Sequence, residues 1–366
     1  MTFRWVTNYY DWSVMPRACE LRSNRPVSSG GPTPCPERGS LNRSFELIGN
    51  LPTWQQHAHG EHRLLFVHVI RHALVDKYGF VRTKDVDLFL YPCYVETANR
   101  ITIDSQSPPH YSEVYVIAVN YPVFFHATIE SIPRMMPHLE FLKRNPHIKI
   151  HALMQGDASV SLKNYFSVLG LDPSRIISGL ITATVVYLPN AGGCINTLQP
   201  NVQAFAYMAQ QYALKTLYQP FGQRQYIVLL QRSKSRQFHQ LDQIKSVLLT
   251  HARSNGLELV VYSDLAPLRF SDVLLYFQNA LLIVGAHGGG LANMVWTPPG
   301  ACVLEVLCKY GIGPRFIFNN MAVAMGHHYH GILATSGSSY DLQIDMENFE
   351  KTVSEMLTLY YAHLET

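Results

Sequence analysis

Apolar and polar positions follow no clear period near the start of the chain and become regular from Ser112 onward. Before that point, residues 64–78 predict a helix, and a charged segment to Asp87 leads into a strand at 88–91. Short apolar runs then alternate with helical periods. Strands are expected at 113–119, 147–154 and 182–188, with helices at 124–144, 159–169 and 201–217. The first of those helices is expected to kink near Pro133 and Pro137, since proline removes an amide donor and crowds the preceding turn. Gln219-Pro220-Phe221-Gly222 reads as a joint between domains. Beyond it come a strand at 226–230, a helix at 240–254, a strand at 257–262 and a helix at 270–279. A segment at 313–326, a strand at 329–333 and a helix at 346–363 close the chain. The last helix places Phe349, Val353, Met356, Leu357 and Tyr360 on one side.

Between these elements lies the most informative stretch, residues 281–305, with no acid or base other than His287 before Glu305. Leu281, Leu282, Ile283 and Val284 suit a strand buried on both faces. Gly285 ends it, and Gly288, Gly289 and Gly290 follow His287. A loop without side chains lets backbone amides approach a ligand, and a helix opening at Leu291 would add its N-terminus as a site for phosphate. Pro298-Pro299-Gly300 turns the chain into a second strand, 301–307, carrying Glu305 near its end.

Strand–helix alternation in both halves predicts an α/β fold of two doubly wound domains facing across a cleft. A chain of 366 residues also exceeds what a single core usually serves. The expected division is an irregular segment at 1–60, α/β domains at 61–217 and 218–345, and a terminal helix at 346–366. In such sheets ligands bind beyond the carboxyl ends of the strands, where the glycine turn falls.

A net charge of +3 gives no basis for a nucleic-acid surface. No secretory signal or membrane anchor is visible, and the long uncharged stretches are broken by Pro, Gly, Asn or Gln. Cys19, Cys35, Cys93, Cys194, Cys302 and Cys308 are scattered, without the paired spacing of a metal site. Asn42-Arg43-Ser44 is the only glycosylation sequon. Residues 26–40, dense in Pro, Gly and Ser, read as a linker. His57, His59 and His62, with His68 and His72 beyond, could suggest a metal but read as a solvated, mildly basic segment, since nothing fixes a convergent ligand set. His327-His328-Tyr329-His330 can place two histidines on one face of a strand, but no third ligand is evident and a structural role is expected; Asp85-Val86-Asp87 is a short, common match to a divalent-metal motif.

Two further groups carry chemistry. Arg232-Ser233-Lys234-Ser235-Arg236 follows the 226–230 strand directly, so Arg232 and Arg236 can fork onto phosphate oxygens while Ser233 and Ser235 donate hydroxyls. His126 and Glu130 share a helix face at i and i+4, a pair suited to a general base. Arg134, one turn on, either holds Glu130 ionised or belongs to the same structural network. The His-Gly-Gly-Gly run is also similar to an esterase oxyanion loop, but no G-x-S-x-G nucleophile elbow occurs.

These blocks together resemble glycosyltransferase family 61. Residues 120–126 (Asn120 through His126) with Glu130, Pro133 and Arg134 match the family's first block. Arg232 through Arg236 match the second, and Gly285-Ala286-His287-Gly288-Gly289-Gly290-Leu291 with Asn293, Pro298-Pro299-Gly300 and Glu305 match the third. Two positions depart from the pattern: His239 and Gln240 stand where an asparagine is usual, and Ala127 where a tryptophan is common.

The resemblance implies a GT-B-like, inverting transferase that uses a UDP-linked sugar without a metal. Xylose, N-acetylglucosamine or arabinose would pass to a glycan or glycoprotein. It assigns Arg232, Ser235, Arg236, His287, Gly288, Gly289, Gly290, Leu291, Asn293 and Glu305 to the donor, with Glu305 on ribose hydroxyls. His126 or Glu130 becomes the base. A Golgi or endoplasmic-reticulum lumen is implied, with the chain either a lumenal fragment or a divergent member. A sugar-nucleotide-binding relative without catalysis is the alternative.

Overall fold

The computed structural model describes residues 18–20, 67–84, 87–88, 107–119, 121, 123–189, 200–217, 224–264, 268–308, 317–337 and 341–364. The sequon, the linker at 26–40, His57, His59, His62, Asp85 and the joint at 219–222 lie outside them.

The chain divides between Asn196 and Thr197 into two compact units. The first holds one sheet built from β1 (Ala18–Glu20), β2 (Val67–Val75), β3 (Val81–Arg82), β4 (Asp87–Leu88), β5 (His110–Val116), β6 (Lys149–His151), β7 (Ile176–Ile177) and β8 (Ile181–Pro189). Its order is β4-β3-β2-β8-β5-β6-β7, with β1 paired to β2. Strands β8, β5, β6 and β7 are mutually parallel, whereas β2, β3 and β4 add antiparallel. The helix expected at 64–78 is instead β2, which pairs with β8 from Val67 to Val75. Its Val and Ile side chains fill the sheet's core, and pairing of that length overrides a helical period.

The helical stretch after β5 changes pitch three times. It opens as α-helix at Phe124–His126 and widens to a π-turn at Ala127–Ser131. It then tightens to 3-10 over Ile132–His138 and returns to α at Leu139–Arg144. Pro133 and Pro137 both fall in the 3-10 part, so the expected kink is a run of altered winding. Helix α1 (Gly156–Leu169) follows and stops at Gly170, whose φ of 70° is the left-handed cap that glycine adopts without strain.

In the second unit a fully parallel sheet contains β9 (Tyr226–Gln231), β11 (Glu258–Ser263), β12 (Ala280–Ala286), β13 (Cys302–Leu307) and β14 (His328–Leu333), in the order β11-β9-β12-β13-β14. Every residue of β12 is buried, as its unbroken apolar run requires. A small sheet joins β10 (Gln237–Phe238), β15 (Ser336–Gly337) and β16 (Asp341–Gln343). The helices are α2 (Pro200–Leu217), α3 (Leu241–Ser254), α4 (Phe270–Gln278), α5 (Ile317–Ala324) and α6 (Met346–Leu364). The expected stripe of α6, Phe349 through Tyr360, is buried against β12 and β13 residues. Helix α2 was expected to close the first domain, but it belongs to the second unit. It packs on α4 and on the 3-10 helix Gly289–Trp296, with Phe205 edge-on to Trp296.

Candidate functional site

In order of appearance the second sheet runs 2-1-3-4-5, so the direction in which successive parallel strands are added reverses between β9 and β12. At such a switch point the loops leaving the two strands diverge and open a crevice. Arg232 leaves the end of β9, and His287 leaves the end of β12.

Two glycines make the approach possible. A Cβ on Gly285 would lie 2.9 Å from Cβ of Leu230, its partner on β9. A Cβ on Gly288 would overlap Nη1 of Arg232 and sit 3.1 Å from its Cζ. Gly288 has extended backbone (φ 167°), so space rather than conformation demands glycine here. The Arg232 guanidinium therefore rests on the glycine turn. Ser235 holds it there, accepting from Nε on its carbonyl at 2.8 Å and from Nη2 on its hydroxyl at 2.9 Å.

Arg236 adds a second cation. Burial first, and the charge of Arg236 next, push the Arg232 guanidinium below its ordinary pKa. Among the described residues neither arginine forms an ion pair, and the buried Nε of Arg236 has no acceptor. Arg236 also holds φ at 55°, a left-handed backbone that is costly for a non-glycine residue. Cys308, a free buried thiol, feels both guanidinium charges, yet burial outweighs them and raises its pKa. A cavity of about 200 Å³ opens beside Arg232, lined by Gln231, Ser233, Gln237, Phe238 and Leu241.

The turn itself supplies amides. Leu291 N–H donates to the Gly288 carbonyl, which starts the 3-10 helix, and Asn293 ties its side-chain amide to the Gly290 carbonyl at 3.0 Å. Leu291 is fully buried and Asn293 nearly so, which anchors the loop to the core. The expected helix at Leu291 is thus a 3-10 helix beginning two residues earlier.

Glu305 departs from its expected part. It is fully buried; one carboxylate oxygen accepts from Nδ1 of His287 at 2.5 Å and the other from the Tyr329 hydroxyl at 2.6 Å. With both oxygens taken inside the protein, no ribose contact is open to it. It steadies His287, whose ring also meets Phe318 edge-on. Tyr329 went unnoticed in the sequence because its histidine neighbours suggested another chemistry. Glu305 pairs in register with Gly331, and a Cβ on Gly331 would come within 3.1 Å of the Tyr329 hydroxyl. The glycine leaves room for that hydroxyl to reach across the strands.

In the first unit His126 Nδ1 and Glu130 Oε2 lie 2.5 Å apart, just beyond the carboxyl end of β5. Glu130 is buried and His126 is partly accessible under the Tyr121 ring. The pair straddles the π-turn, a local widening that recurs at functional sites. Thr128 and Ser131 anchor it to Tyr165 and to the Ile117 carbonyl. Arg134 bonds the Ala118 carbonyl at 3.1 Å, tying the helical stretch back to the strand's end.

Among the described residues no three His, Cys, Asp or Glu side chains converge as a metal site. His327 is buried in the second unit, and burial holds its pKa down to about 3.

Residues 124–304 match the family described as Glycosyltransferase 61. This region belongs to glycosyltransferase family 61. No curated protein sequence matches it. The family match runs from the helical stretch carrying His126 and Glu130, through Arg232 and Arg236, to the residue before Glu305. A mixed α/β architecture with parallel sheets fits a Rossmann-like glycosyltransferase. Membership makes the chain a transferase-family protein, with a sugar donor and a glycan acceptor as its general partners. No helix among the described residues is long and apolar enough to cross a membrane.

Proposed function

We propose that this family 61 chain is an inverting, metal-independent transferase of GT-B organisation. It moves a sugar from a UDP-linked donor to a hydroxyl of a glycan or glycoprotein in the secretory lumen. The observation that carries this reading is the Arg232 guanidinium lying on Gly288 with Arg236, whose buried Nε has no acceptor, beside it. Two adjacent cations with no ion pair among the described residues, Asp264 acting on Arg232 only at longer range, favour an anion of more than one charge.

In the reaction the acceptor oxygen forms a bond to the anomeric carbon as the bond from that carbon to the phosphate oxygen breaks. The electron pair leaves with the diphosphate, and charge grows there in the transition state. Arg232, Arg236 and the amides of the glycine turn stabilise that charge from preorganised positions. The acceptor's proton passes to the His126–Glu130 pair, acting as general base. Ser235 serves the donor indirectly, by holding Arg232.

The test is transfer activity of Arg236→Ala with UDP-xylose, UDP-N-acetylglucosamine and UDP-arabinose, with and without chelator. We expect at least a ~100-fold loss, the usual scale for one transition-state donor, and full activity in chelator. Near-normal turnover in the variant, or a manganese requirement in the wild type, would sink the mechanism. UDP binding with no turnover on any donor would favour a binding relative without catalysis.

A further inference from the structure

We propose that Glu305 and Tyr329 are positioning residues that aim His287 at the departing diphosphate as a third cationic donor. The inference rests on the donor reading above. A carboxylate removed from water keeps its charge at modest cost when a cation and hydrogen bonds offset it. Glu305 is 0 % exposed, and its two neighbours are the His287 ring and the Tyr329 hydroxyl. In the proposed arrangement the His287 ring is that cation, donating Nδ1–H to the carboxylate and leaving Nε2–H over. No acceptor within the described residues takes Nε2, and it is not among the buried polar atoms left without a partner. His287 immediately precedes Gly288, on which Arg232 lies, so its backbone joins the same turn. Tyr329 occupies the other carboxylate oxygen, and this stops Glu305 from rotating away from the ring. No proton changes hands in this scheme; the ring contributes a charged hydrogen bond that strengthens as negative charge builds on the diphosphate.

UDP affinity of the purified full chain, measured by calorimetric titration, tests the arrangement. Glu305→Gln keeps an acceptor for Nδ1–H but removes the charge that favours imidazolium. We expect it to weaken UDP binding about tenfold, the scale of one hydrogen bond to a charged group. Tyr329→Phe should weaken it several-fold, by about the same mechanism through lost orientation. In a His287→Ala background Tyr329→Phe should have no further effect, an outcome that a merely structural tyrosine would not give. Gly331→Ala guards against misfolding of the buried variants, because Gly331 is exposed and its added methyl crowds the Tyr329 hydroxyl. It should lower affinity in the same direction. The proposal is overturned if Arg236→Ala loses UDP affinity while Glu305→Gln, Tyr329→Phe and Gly331→Ala bind as the wild type does. If Arg236→Ala also binds normally, the donor reading itself has failed, and this inference with it.

Discussion

Gly288 and Arg232 show how one hydrogen in place of a methyl group shapes a site. The clash a Cβ would cause there falls on the far end of a flexible side chain. Gly288→Ala should therefore leave thermal stability nearly unchanged while moving Arg232 off the turn. We expect UDP affinity to drop about tenfold, as for loss of one charge-assisted contact. Unaltered affinity by titration would show that Arg232 does not need its seat on the turn. The sequence announced three glycines after His287, and any of them fits a phosphate-binding turn equally well. Which one seats an arginine depends on where β9 ends, and no local pattern states that. Glu305 carries the same lesson. Its place in the third block suggested a ligand contact, and only the pairing with Gly331 on β14 revealed Tyr329 as its partner.

Strands β9 and β12 meet more closely than side chains normally allow, and Gly285 is the reason. Here the added Cβ would meet the Leu230 Cβ, which is fixed to the neighbouring backbone and cannot swing aside. Gly285→Ala should destabilise the protein by about 1–3 kcal/mol, the usual cost of overpacking a core. Denaturant unfolding of the variant measures this, and a wild-type midpoint would show that the sheet can spread at no cost. The contrast with Gly288 is a difference of scale: one methyl deforms a site, the other a sheet. Most strands of the second unit were readable from their apolar runs, since a strand buried on both faces must be apolar throughout. Residues 67–75 were not. Val67, Ile70, Ala73 and Val75 are buried with a polar interruption at Arg71 and His72, and this spacing fits a helix face as well as a strand. Pairing to β8 decided between them.

Across the whole molecule, histidines buried without charge make stability depend on pH. Burial lowers His68 and His151 to about 4 and His138 and His327 to about 3. These groups bind protons in the unfolded chain before they do in the fold. Stability is therefore complete above the unfolded value of about 6.5 and is lost as pH falls toward the folded values. Each such histidine contributes about 1.4 kcal/mol per pH unit inside that window. The melting temperature should fall between pH 7 and pH 5; a flat profile would mean that these rings reach water in the folded state. At this scale the units also divide earlier than the turn-rich joint suggested, because α2 packs on α4 and the Gly289–Trp296 helix.

Local composition by itself determined the alternation of strands and helices, the end of each buried run, and so the residues that emerge at strand ends: Arg232 after β9, His287 after β12, His126 beyond β5. These follow from short-range physics, since an apolar run stops where glycine or charge begins. The 2-1-3-4-5 strand order, which sets the end of β9 beside the end of β12, was decided only in three dimensions. So were the seat of Arg232 on Gly288 and the enclosure of Glu305 between His287 and Tyr329. Contacts between residues far apart in the chain depend on which surfaces can be buried together, and a one-dimensional pattern does not record that choice.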